Sequence, residues 1–209
     1  MYQLYIGYLG YIQNGSQEAK GLFTDEWILV QGLSQKHTSL STQLQPTWAR
    51  QLLPCIDEPA AKAKFSLAVV HPKDTTALST TEAYQIDRSS AWLQTHFQTT
   101  PKMPVYTLAV TVSPFQRRQI RLRSRNFTVR VWAPPEKLRE MEYALKVTRK
   151  LVTEFERRFD SKMLLKKMDI FPVESLTGEA MENWGLTVQR HRSLFHDPIQ
   201  QVDFSANCI

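Results

Sequence analysis

Cysteine is nearly missing from this sequence: Cys55 and Cys208 are the only two. That is too few for a disulfide scaffold or a thiolate zinc site, and their separation alone does not argue for a single bridge. Long apolar runs are missing as well. The longest stretches, such as Phe65-Ser66-Leu67-Ala68-Val69-Val70, are short and interrupted, far below the ~20 residues that span a bilayer. The opening Met1-Tyr2-Gln3-Leu4-Tyr5-Ile6 has no basic segment leading into an apolar core, so it does not read as a signal peptide. Repeats and low-complexity segments are absent, which excludes fibrous and disordered classes.

What is present is ordinary for a folded chain. With 42% hydrophobic and 22% charged residues over 209 positions, the sequence can build one sizeable core or two smaller ones. The net charge of +6 raises the question of an anionic partner. The densest basic segment, Arg117-Arg118-Gln119-Ile120-Arg121-Leu122-Arg123-Ser124-Arg125, alternates charged with uncharged residues, as one solvated face of a strand does. No nucleic-acid recognition motif accompanies it, so a nucleic-acid partner is not expected. Asn14-Gly15-Ser16 and Asn126-Phe127-Thr128 are glycosylation sequons, which matter only in a secreted context.

The first half reads as β-structure. Leu4, Ile6 and Tyr8 alternate with polar or small residues, and Phe65–Val70 reads as a strand. Val105–Val112, rich in β-branched and aromatic residues between Pro104 and Pro114, is the strongest strand candidate. Ile120–Arg125 and Phe127–Trp132 read as a paired hairpin. The character changes at Pro134-Pro135, where proline suits the first turn of a helix. Leu138, Met141, Leu145, Val152, Phe155 and Phe159 then follow at helical steps, predicting about six turns with that stripe in the core. Strands followed by a long helix predict a β-domain leading into a mixed α/β domain, with the boundary near Phe115.

Two segments carry a specific resemblance. Thr42-Gln43-Leu44-Gln45-Pro46-Thr47-Trp48-Ala49-Arg50 through Pro54-Cys55-Ile56-Asp57-Glu58-Pro59, and Gly178-Glu179-Ala180-Met181-Glu182-Asn183-Trp184-Gly185-Leu186, resemble the two signature motifs of the aminopeptidase N family of zinc aminopeptidases. The resemblance implies an antiparallel β-sandwich or saddle domain over residues 1–115, lacking its opening strands. Residues 116–209 would be the opening of a thermolysin-like domain that ends before its zinc helix. It also implies a peptide-holding site: Glu182 gripping the free α-ammonium, Gln45 beside it, Gln43 lining the first side-chain pocket, and Ala180, Met181 and Asn183 along the substrate. A carboxylate grips an ammonium group through charge-assisted hydrogen bonds. Pro54–Pro59 is read as structural, with Asp57 and Glu58 serving backbone donors or Arg50, and Cys55 as a small buried hydrophobe.

Several parts of the family pattern are not found. His37, His71, His96, His191 and His196 form no H-E-x-x-H motif, which would put two imidazoles on one helix face. His191 and His196 are five apart, so they do not make a metal pair. No catalytic residue, no metal ligand and no cofactor is assigned to this chain, zinc belonging to the full-length family. Glu179 stands where the family has glycine, which would obstruct or recharge the cleft. Gln189 and His191 replace a tyrosine and a glutamate, and Val202–Ile209 matches nothing in the pattern. The expected partner is a peptide with a free N-terminus, with no catalysis by this chain alone. The alternatives are a dimerisation module for a related aminopeptidase or a fragment that does not fold stably. The family suggests the outer face of the plasma membrane or secretion.

Overall fold

The computed structural model describes residues 3–16, 19–29, 35–89, 91–122 and 126–195. One five-stranded sheet contains β1 (Gln13–Asn14), β2 (Gly21–Leu29), β3 (Gln35–Gln43), β5 (Thr76–Ser79) and β8 (Val110–Ser113), in the order β1-β2-β3-β8-β5. A three-stranded sheet places β4 (Ala68–Pro72) beside β7 (Trp92–Phe97), which pairs with β6 (Ala83–Arg88). The second five-stranded sheet runs β12-β13-β11-β10-β9 through β9 (Gln116–Leu122), β10 (Phe127–Ala133), β11 (Lys167–Val173), β12 (Ala180–Met181) and β13 (Leu186–Arg190).

Strand periodicity sorts the side chains of the second sheet into two faces. On β11, Lys167, Asp169, Phe171 and Val173 are buried on one side, while Met168 and Ile170 point to the other. The first face packs on β2, so that Phe23, Trp27, Trp132, Phe171 and Val173 share one apolar cluster with Phe115. The opposite face takes α1 (Glu142–Arg158), which crosses from β10 to the parallel β11 and packs over β9 and β10. Parallel neighbours need such a crossover. The fold class is therefore mixed β and α/β, as the sequence predicts.

Buried polar groups join the layers. Asp25 of β2, 1% exposed, accepts from Trp27 Nε1 at 2.9 Å, Glu174 N at 2.7 Å and Ser175 N at 2.9 Å. Lys167, also 1% exposed, ion-pairs with Asp169 at 2.7 Å and donates to the Gly185 carbonyl at 2.7 Å and to the Ser79 carbonyl. Burial pushes its ammonium pKa down, and the adjacent Asp169 carboxylate pulls it back up. Asp169 also accepts from Trp132 Nε1 at 2.9 Å.

Several local expectations are corrected. Val105–Val112 is not one strand: Val105–Thr107 forms a 3₁₀ turn and the paired strand is Val110–Ser113. Thr107 Oγ1 donates to the Pro104 carbonyl at 2.8 Å and closes that turn, while Val105 and Leu108 are buried beside Leu44. The strand expected at Phe65–Val70 is Ala68–Pro72. Leu4, Ile6 and Tyr8 form no strand and are exposed. The helix starts at Glu142, preceded by a 3₁₀ turn at Pro135–Lys137, so it is 17 residues long and shorter than expected. Its stripe is core only through Val152; Phe155 and Phe159 are 52% and 69% exposed.

Other expectations hold. The hairpin of β9 and β10 is present, with Arg118 of β9 paired to Glu142 of α1 at 3.2 Å. Arg123–Arg125, His196, Cys208 and the tail Val202–Ile209 lie outside the described residues. Asp57 accepts from Arg50 N at 3.0 Å and Arg50 Nε at 3.3 Å, and half-buried Cys55 packs on the Leu44 cluster. Burial pushes the Cys55 thiol pKa up, so it stays protonated and apolar.

His71 on β4 is buried with both ring nitrogens engaged. The Thr75 hydroxyl donates to the Pro72 carbonyl at 2.7 Å, which leaves its oxygen to accept from His71 Nδ1 at 2.9 Å. His71 Nε2 then accepts from Thr95 Oγ1 at 2.8 Å. Burial lowers the His71 pKa, against a smaller opposing effect of the Pro72 carbonyl.

Two measurements follow from these buried groups. Lys167→Met should destabilise the chain by about 3–5 kcal/mol in urea unfolding, since it leaves the buried Asp169 carboxylate with only Trp132 and the more distant Arg130. The double variant with Asp169→Asn should cost less than the sum of the single variants. Because His71 is depressed in the folded state, the unfolded chain binds more protons below its ordinary imidazole range. Stability should therefore be full above that range and fall on acidification through the folded pKa, and His71→Gln should flatten this part of a melting-versus-pH profile.

Candidate functional site

The acidic motif folds as a short edge strand and a turn. Ala180 and Met181 pair antiparallel with Gln189 and Val188 of β13. Alternation then buries Met181 and Asn183 and turns Ala180 and Glu182 outward. The turn closes at Gly185, whose φ of +71° belongs to the left-handed region. A Cβ there would collide with the Thr80 carbonyl and sit 2.8 Å from Leu165 Cδ1. The Gly185 carbonyl accepts from Asp169 N at 2.9 Å as well as from Lys167, and Trp184 N donates to the Thr107 carbonyl at 3.1 Å.

Beside this turn lies a groove of ≈ 330 Å³. Met168 supplies its floor, and Met163, Leu164 and Trp184 its apolar walls, with Glu182 and Asn183 at one side. Met168 of β11 and Thr187 of β13 line it, next to the part of the second sheet where α1 packs over β9 and β10. Glu182 is exposed, and none of the described ion pairs engages it. Asn183 is 3% exposed, yet its Nδ2 has no hydrogen-bond partner among the described residues. A buried amide donor without a partner is costly, so a ligand or water acceptor would be favoured there. Together the groove offers a carboxylate acceptor and an apolar wall, with the Asn183 amide nitrogen buried beside them.

The other motif residues are placed differently. Gln43 is buried at the end of β3, donating from Nε2 to the Gln45 carbonyl at 3.5 Å, and its Oε1 is unpartnered. Gln45 is exposed and precedes Pro46 through a cis peptide bond. Neither lines the groove, but Leu44 between them packs in a cluster against which Trp184 rests, which joins the two motifs. Glu179 does not stand free: Arg192 and Ser193 Oγ, the latter at 3.0 Å, hold its carboxylate. The hydrogen bond from Arg192 lowers its pKa, so the extra charge is neutralised locally. Met163, Leu164 and Met168 were missed as groove residues; the run Met163-Leu164-Leu165 between lysines was the available signal.

The described residues do not fit a zinc ion. They contain no group of three His, Cys, Asp or Glu side chains placed to hold a metal. His37, His96 and His191 each face a single carboxylate, Glu136 at 3.1 Å, Asp87 at 3.0 Å and Glu174 at 2.6 Å. His71 faces threonine hydroxyls instead. No chemical step is therefore derived through a metal.

Comparison with known proteins gives the class first. Residues 1–107 match the Peptidase M1 N-terminal domain, and residues 143–207 match the Peptidase family M1 domain. The chain belongs to peptidase family M1. Aminopeptidase N of Bos taurus is 37% identical over 169 residues, which are 78% of this chain and 17% of that protein. Aminopeptidase N of Homo sapiens is 38% identical over 165 residues, 76% of this chain and 17% of that protein. Aminopeptidase N of Haemonchus contortus is 35% identical over 196 residues, 93% of this chain and 20% of that protein. The chain thus spans a fifth or less of the length of these relatives.

The turn offers a direct check. Gly185→Ala should cost about 2 kcal/mol or more, from left-handed backbone strain plus the collision with Thr80. Chemical denaturation should show the loss, and no loss would mean that this loop lies elsewhere.

Proposed function

We propose that the groove beside Glu182 binds the free N-terminus of a peptide, as the peptide-holding part of a family M1 aminopeptidase. The observation that carries this reading is an exposed, unengaged Glu182 carboxylate at the side of an apolar groove. The Glu182 carboxylate accepts from the α-ammonium, and buried Asn183 holds the turn that presents it. The apolar wall covers the first side chain, and the backbone of Ala180 and Met181 serves an extended peptide as an edge strand does. Gln43 and Gln45 act from the adjoining segment. The 209-residue chain holds such a peptide without hydrolysing it. Zinc-dependent removal of N-terminal residues belongs to the whole protein, as the resemblance to aminopeptidase N suggests, and its place is the extracellular side.

Calorimetric titration with a short peptide, free or acetylated at its N-terminus, tests the reading. Free peptide should bind, and acetylation or Glu182→Gln should weaken it about ten- to a hundredfold, the range for a hydrogen bond to a charged group. Glu179→Gln should change little, since Arg192 already holds that carboxylate. Equal binding of free and acetylated peptide would sink the assignment of Glu182.

A further inference from the structure

Two exposed asparagines share an arrangement that the peptide site does not use. In Asn14-Gly15-Ser16 and Asn126-Phe127-Thr128 the asparagine is exposed and the middle residue is buried. Gly15 donates its N–H to the Thr24 carbonyl at 2.9 Å, and a Cβ there would lie 2.7 Å from Phe23 Cδ2, so only glycine fits against β2. Phe127 is 1% exposed in a cluster with Leu122, Val129 and Val152. Each buried middle residue anchors its triplet and leaves the asparagine facing solvent.

The side-chain amides use only their oxygens. Asn14 Oδ1 accepts from Ser16 N at 3.1 Å and Ser16 Oγ at 2.9 Å. Asn126 Oδ1 accepts from Arg121 Nη2 at 2.9 Å. A substituent on Nδ2 therefore leaves every one of these hydrogen bonds in place. The location is shared too. β1, which holds Asn14, is the end strand of the first five-stranded sheet. Asn126 lies in the turn between β10 and β9, the end strand of the second. Open sheet edges are templates for pairing with another chain unless something bulky or charged blocks them.

We infer that Asn14 and Asn126 are acceptor sites for N-linked oligosaccharide, and that the two glycans shield one end strand of each five-stranded sheet, β1 and β9. The donor is a lipid-pyrophosphate-linked oligosaccharide on the lumenal side of a secretory membrane. Nδ2 forms a bond to the anomeric carbon, the bond from that carbon to the pyrophosphate oxygen breaks, and Nδ2 gives up one proton to a base. The lipid pyrophosphate leaves with the bonding pair. No redox partner is needed, and the Ser16 or Thr128 hydroxyl is the feature that marks each asparagine for transfer.

The test is to produce the full chain in eukaryotic cells behind a cleavable secretion signal. Peptides are then mapped after N-glycosidase treatment in heavy-oxygen water, on secreted and retained material alike. Labelled aspartate is expected at both positions, and Asn14→Gln and Asn126→Gln should each remove one glycan. Sedimentation should show the glycosylated chain as monomer, with self-association rising at least severalfold once the glycans are removed. Unmodified asparagine at either position overturns the assignment of that position. Equal association with and without glycans overturns the shielding role. Neither result bears on peptide binding at Glu182, so the two readings stand or fall separately.

Discussion

The ammonium of Lys167 is the interaction on which the rest of the structure leans. It reaches from the second sheet to the Ser79 carbonyl in the first sheet and to the Gly185 carbonyl in the site loop, while Asp169 balances its charge. A buried ion pair is weak evidence for net stability, because desolvating both charges costs several kcal/mol, roughly what their attraction returns. Its contribution here is positional. A single cation satisfies acceptors from separate layers, so those layers have one register in which no buried charge is left bare. The candidate groove inherits its geometry from that register, because Asn183 and Trp184 hang on the turn that Lys167 and Asp169 hold.

Much of this was legible in the sequence, for identifiable reasons. The two motifs are dense in residues with narrow conformational or chemical tolerance, and their order along the chain pointed to the family that the comparisons show. Alternation on Phe127–Trp132 reported its strand because Phe127, Val129 and Val131 fill the helix-side core while Thr128 and Arg130 on the other face are only half-buried. The Val105–Val112 segment misled because β-branched and aromatic residues fit any buried surface. There the hydroxyl of Thr107 and the fixed φ of Pro104 favoured a turn over extension. Leu4, Ile6 and Tyr8 alternate as a strand does, but alternation cannot supply a partner, and the structure gives them none among the described residues.

The helix and the groove show a different limit. A stripe of apolar residues says that a helix has an apolar face, not that something lies against all of it. Phe155 and Phe159 stay exposed, and Met168, packed beside the Val152 cluster, also lines the groove. The roles of Gln43, Gln45 and Glu182 came from resemblance, and the amides of Gln43 and Gln45 do not line that groove. Asn183 became prominent only through its unpartnered amide, a property of surroundings that sequence does not carry.

The hydrogen bonds of Asp25 carry a consequence for synthesis on the ribosome. Its carboxylate sits in β2, but its backbone partners at Glu174 and Ser175 lie 149 and 150 residues later. Until those residues emerge from the exit tunnel, the carboxylate has only the Trp27 indole as a donor, and the Phe23–Trp27 face of the first sheet lacks the β11 side chains that bury it. The nascent first sheet must therefore wait, wet and incomplete, for the second. This arrangement favours late, concerted closure over one half folding ahead of the other, and it makes the emerging chain a client for chaperones that hold apolar surface apart.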